Sequence, residues 1–75
     1  METSLNRIRP GMRAVVTEMK VPGALESRLR DFGLVPGTAV VCRYRGPGGG
    51  VTALDVRGAV LALRTRDLVN IRVRC

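Results

Sequence analysis

Residues 25–38, LESRLRDFGLVPGT, decide the fold. Leu25, Leu29 and Phe32 recur at i, i+4 and i+7, which lines them along one face of about two helical turns. Gly33 follows where a helix wants a left-handed C′ residue, and glycine takes that conformation without a Cβ penalty. Leu34 falls at C″, placed to pack back on the last turn. Val35-Pro36-Gly37-Thr38 then carries proline and glycine at the two central positions of a type II turn. Glu26 precedes Arg30 by four residues in the favourable order, while Asp31 opposes the helix dipole.

Everything around this helix reads as strand and turn. Leu5 to Gly11 alternates apolar and polar residues before Pro10-Gly11. Met12 to Met19, with Val15 and Val16, is the first long strand, and Val21-Pro22-Gly23 breaks it ahead of the helix. Ala39 to Arg45 alternates: Val40, Cys42 and Tyr44 face one way, Val41, Arg43 and Arg45 the other. Gly46 to Gly50 is a hairpin loop. Val51 to Arg57 and Ala59 to Arg64 form a hairpin around a tight Arg57-Gly58 turn. Thr65 to Leu68 is a single helical or 3₁₀ turn with Thr65 as its cap, and Ile71 to Arg74 is the last strand. About five short strands at regular spacing predict a small, mainly β barrel, which also hides its sheet edges. The helix sits between the first and second long strands and caps one end.

A chain of 75 residues makes one domain, 1–75, with a thin stability margin. Its 13 Lys+Arg against 6 Asp+Glu give a net charge of +7, and Lys20 is the sole lysine. Such a field attracts nucleic acid, an anionic membrane surface or an acidic protein face. Single-strand binders stack bases on aromatic platforms, and Phe32 and Tyr44 are the only aromatics here. Cys42 reads as a small core residue and Cys75 as a frayed, free thiol, with a disulfide between them unsupported. No apolar run is long enough for a membrane span and the N-terminus has no secretory core, so the expectation is a cytoplasmic protein.

The chemistry that enzymes need is missing from the pattern. Without histidine, neither a four-ligand zinc site nor a nucleophile–base pair can be written, and the acids are scattered. The glycines at 46–50 lack the Gly-Lys-Ser/Thr ending and following helix of a phosphate loop. No catalytic residue, cofactor or metal is expected.

The chain resembles the FeoA family of bacterial ferrous iron uptake. The resemblance rests on Leu5 with Pro10-Gly11, Arg28-Leu29 with Gly33-Leu34, Pro36-Gly37-Thr38, Gly58 ahead of Leu61-Ala62-Leu63-Arg64, and Ile71-Arg72-Val73. It implies an SH3-like barrel with a helical insertion. It further implies an accessory or regulatory role beside FeoB, the membrane Fe²⁺ transporter with a cytoplasmic G-protein domain, iron itself being left to the partner. The same fold ends the iron-dependent repressors, but no helix-turn-helix pattern precedes the barrel here. Two departures stand out: the excess basic charge, which leaves room for the inner membrane surface as a second partner, and Phe32 where methionine is commonest.

Two functional expectations follow. In the first, the helix and its turn dock on the transporter through Leu25, Arg28, Phe32 and Leu34. For Phe32, as for Leu29, a core position is the stronger reading, and Arg28 or Arg30 could serve a GTPase in trans. In the second, a basic barrel grips nucleic-acid phosphates through Arg43, Arg45, Arg64, Arg66, Arg72 and Arg74.

Overall fold

The computed structural model describes residues 1–75. Six strands form one antiparallel sheet: β1 (Glu2–Ser4), β2 (Arg13–Met19), β3 (Ala39–Arg45), β4 (Val51–Val56), β5 (Ala59–Arg64) and β6 (Ile71–Arg74). Their order across the sheet is β1-β6-β2-β3-β4-β5. The single α-helix, α1 (Gly23–Asp31), lies between β2 and β3 as the sequence indicates. Short 3₁₀ turns occupy Leu5–Arg7, Pro47–Gly49 and Thr65–Leu68.

The sheet curls because β2 is shared. Arg13 to Val15 pair with β3, whereas Val15 to Met19 pair with β6, and the register slips between Val16 and Glu18. Such a bulge bends a strand and raises its twist, which is what a barrel corner needs. The inward face buries Val16, Val40, Leu54, Val56, Ile71 and Val73 in one core with Leu5, Ile8, Leu29, Leu34 and Leu68.

The turns behave as their residues dictate. Phe32, Gly33 and Leu34 close α1 in a Schellman arrangement: Gly33 N–H donates to Arg30 O and Leu34 N–H to Leu29 O, both at 2.9 Å. Gly33 takes φ +88. Thr38 N–H returns to Val35 O at 3.0 Å across the Pro36-Gly37 turn, with Gly37 at φ +93. Arg57 (φ 51) and Gly58 (φ 85) form the two-residue hairpin turn with both central residues left-handed, matching the strand twist.

The mainly β, SH3-like fold with one inserted helix is as expected, with Glu2–Ser4 adding a sixth strand beside β6. Four finer expectations need correction. Cys75 is exposed and free but not frayed: its N–H donates to Met1 O at 2.9 Å. The barrel does not close by hydrogen bonds, since β1 and β5 remain the two ends of the sheet, so β5 keeps an open edge. Thr65 does not cap its turn; Arg64 holds that position and makes no side-chain cap. Tyr44 does not share a face with Val40 and Cys42. A bulge between Cys42 and Tyr44 resets the alternation, leaving Tyr44 exposed and turning Arg45 inward.

Candidate functional site

Helix α1 starts at Pro22 without a side-chain cap, and only Leu29 on it is fully buried. Leu25 is half-buried and packs on the same core. The anchoring stripe is therefore Leu25 and Leu29, and the expected third member, Phe32, is 54% exposed. The cause is the Schellman turn. Reversing the chain at Gly33 carries Leu34 beneath the last helical turn, where it is wholly buried, and that leaves Phe32 at the helix end facing water. Two expectations change together. Phe32 is a surface residue rather than a core one, and Leu34 is core and offers no atom for docking.

Leu25 and Arg28 form one wall of a groove whose other wall is the end of β5 and the following turn. The groove encloses about 260 Å³ and is lined by Leu25, Arg28, Ala62, Leu63, Arg64 and Asp67. Arg28 is exposed and makes no ion pair, unlike Arg30, which holds Glu26 at 3.3 Å along the helix. Arg57, at the β4–β5 turn, lies over Gly33: its Cδ is 2.7 Å from where a Cβ on Gly33 would stand. The helix is thus flanked by the β4–β5 hairpin, with Arg57 at its C-terminal end and Ala62, Leu63 and Arg64 along its groove. No local sequence signal announces Ala62, Leu63 or Asp67 as groove residues, because the topology brings them to the helix.

The arginines expected to form a phosphate-gripping face do not act as one set. Arg43 faces Asp55 across the strands at 3.6 Å. Arg45 donates from Nη2 to Ile8 O at 2.8 Å and from Nε to Thr52 Oγ1 at 3.2 Å. Arg72 reaches Ser4 Oγ at 3.2 Å. Arg64, Arg66 and Arg74 carry no ion pair. Burial pushes the Cys42 thiol above its ordinary value of 9.0, with the nearby charge of Arg45 pulling the other way, so it rests as a neutral core group. No three His, Cys, Asp or Glu side chains cluster closely enough to hold a metal ion. No helix is long and apolar enough to cross a membrane.

Comparison with known proteins agrees with this architecture. Among solved structures, the FeoA protein from Chlorobium tepidum is 29% identical and superposes with a TM-score of 0.92, over 96% of this chain and 69% of that one. A FeoA-like protein from Clostridium acetobutylicum is 26% identical with a TM-score of 0.85, over 97% of this chain and 85% of its own. A manganese-dependent transcriptional repressor shares the fold alone: 15% identity, TM-score 0.86, over 96% of this chain but 40% of the repressor. No curated protein matches the chain. The FeoA domain model matches residues 3–75, so this chain, an SH3-like β fold with one inserted helix, belongs to the FeoA family associated with ferrous iron transport.

Proposed function

We propose that this protein is an accessory, regulatory subunit of a bacterial ferrous iron uptake system that docks on the cytoplasmic part of an FeoB-type transporter. The observation that carries the reading is Phe32. It is the one phenylalanine of the chain, it stands 54% exposed at the end of α1, and the groove beside Leu25 and Arg28 opens on the same helix. A large aromatic held at a rigid helix end, with an unpaired arginine on the same element, has the composition of an interface anchor. Leu25, Arg28 and Phe32 form the docking set, extended by Ala62 and Leu63 across the groove. Arg28, lacking an ion-pair partner, is also the arginine free to approach a nucleotide in trans, whereas Arg30 is committed to Glu26.

Titration calorimetry against the cytoplasmic G-protein part of the cognate transporter tests the reading. Phe32→Ala is expected to weaken binding at least tenfold while lowering the melting temperature by only a few degrees, far less than Leu34→Ala. Arg28→Ala, assayed for GTP turnover by the same partner, separates docking from catalytic assistance. Absence of binding by the wild-type chain would overturn the proposal.

A further inference from the structure

A second recess shares Arg64 with the groove but none of the docking residues of α1. It measures about 610 Å³ and is lined by Asn6, Gly49, Gly50, Arg64, Thr65 and Arg66, without one apolar side chain. The 3₁₀ turn at Leu5–Arg7 supplies Asn6, the β3–β4 loop supplies the two glycines, and the end of β5 with the next turn supplies the rest.

The hydrogen bonds behind this notch have a direction. Arg45 Nε donates to Thr52 Oγ1 at 3.2 Å, and Thr52 Oγ1 lies 2.8 Å from Thr65 Oγ1. Thr52 is wholly buried, and of its two hydrogen-bond partners, Arg45 Nε and Thr65 Oγ1, only Thr65 Oγ1 can accept. A buried hydroxyl proton without an acceptor is costly, so Thr52 donates to Thr65. Thr65 then keeps its own proton for the notch. Arg64 and Arg66 stand on either side of Thr65 in the chain and neither has a carboxylate partner.

From this arrangement we infer that the notch binds a phosphate monoester. Two unpaired guanidiniums match the charge of about −1.5 to −2 on a monoester better than the single charge of a diester or carboxylate. The Thr65 hydroxyl supplies a third donor to the phosphate oxygens. The same chemistry occurs in soluble sugar or glycerol phosphates and in monoester lipid headgroups.

The test is an amide NMR titration of the full chain with glycerol 3-phosphate at fixed ionic strength, beside co-sedimentation with phosphatidylcholine vesicles containing phosphatidic acid. Saturable shifts confined to Asn6, Gly49, Gly50 and residues 64–66 are expected. Arg64→Gln with Arg66→Gln should lose about tenfold or more in affinity, since both charge-assisted contacts go. Thr65→Ala should lose severalfold, and Thr65→Ser should recover it, provided each variant keeps the wild-type amide spectrum elsewhere. Vesicle binding that needs Arg64 and Arg66 identifies the headgroup as the source; soluble binding alone identifies a free phosphate. Unsaturable shifts spread over all arginines, equal affinity in the double variant, or tighter binding of a dinucleotide diester than of glycerol 3-phosphate would overturn the inference.

Discussion

Exchanging the roles of Phe32 and Leu34 makes a sharp prediction, because the two side chains lie two residues apart and their truncation should have opposite consequences. Leu34 is wholly buried beneath the last turn of α1, in contact with the barrel core. Truncating such a leucine to alanine costs about 2–5 kcal/mol, transfer and cavity together. A chain of 75 residues holds roughly 4–11 kcal/mol in total, so Leu34→Ala spends a large share of the margin. At about 4–8 °C per kcal/mol for a domain this size, a 3 kcal/mol loss lowers the melting temperature by roughly 12–24 °C. Phe32 is 54% exposed, so Phe32→Ala forfeits less than half the ~1.5–3 kcal/mol of a fully buried phenylalanine, about 0.7–1.4 kcal/mol. Circular dichroism melts and urea midpoints measure both. Binding to the transporter's cytoplasmic part should fall with Phe32→Ala and, below the melting range, survive in Leu34→Ala. If Phe32→Ala unfolds the protein more than Leu34→Ala does, Phe32 and not Leu34 anchors the helix end, and the reasoning is refuted.

Gly33→Ala and Gly37→Ala should both destabilise by about 1 kcal/mol, the usual penalty of a side chain at left-handed φ. Gly33→Ala should cost more, because its Cβ meets Arg57 Cδ at 2.7 Å whereas nothing lies within 4 Å of Gly37; in an Arg57→Ala background the excess should vanish in urea unfolding. Cys42 keeps its thiol protonated to higher pH in the fold than in the unfolded chain. Its contribution to stability is therefore complete below the unfolded thiol pKa and declines as pH rises from there through the folded one. Urea midpoints from pH 7 upward should fall more steeply in wild type than in Cys42→Ala, and parallel curves would refute this. Ellman's reagent should titrate Cys75 at once and Cys42 only on unfolding, since Cys75 is exposed and Cys42 buried.

What the sequence made legible is what local stereochemistry decides. The helix end at Gly33, the type II turn at Pro36-Gly37 and the hairpin turn at Arg57-Gly58 each need a left-handed residue at a fixed place, and glycine marks it. Periodicity found the helix and the long strands for the same reason. It failed at Tyr44 and Arg45, where one bulged residue inverts the facing of everything after it, and nothing in VVCRYR marks the bulge. It failed again for Phe32, since an i+7 spacing does not say whether the core still extends beneath the helix end. Leu34 was correctly placed at C″, but packing back on the helix is incompatible with facing a partner. No pattern marks β1, because three residues, Glu2–Ser4, form a strand only by leaning on β6 at the far end of the chain. The groove and the notch were illegible for one reason: each gathers residues that only the topology brings together.

The net charge of +7 takes on a different meaning once the arginines of the helix, the long strands and the two recesses are placed. Arg45 is a structural donor, tying the carbonyl of Ile8 to the Thr52 hydroxyl, and a lysine with its single rotatable ammonium would not span both in that fork geometry. Arg30 and Arg43 are balanced by Glu26 and Asp55 on exposed or half-exposed surface, where such pairs add little stability but do occupy the guanidinium. Arg57 covers the glycine at the helix end. Arg28, Arg64 and Arg66 are left without partners beside the two concave surfaces, and Arg64 lines both of them. A nucleic-acid binder would spread its free arginines along a track at phosphate spacing. Here three of them, Arg28, Arg64 and Arg66, line two adjoining recesses, which suits recognition of a compact anionic group next to a protein-docking groove and makes Arg64 common to both.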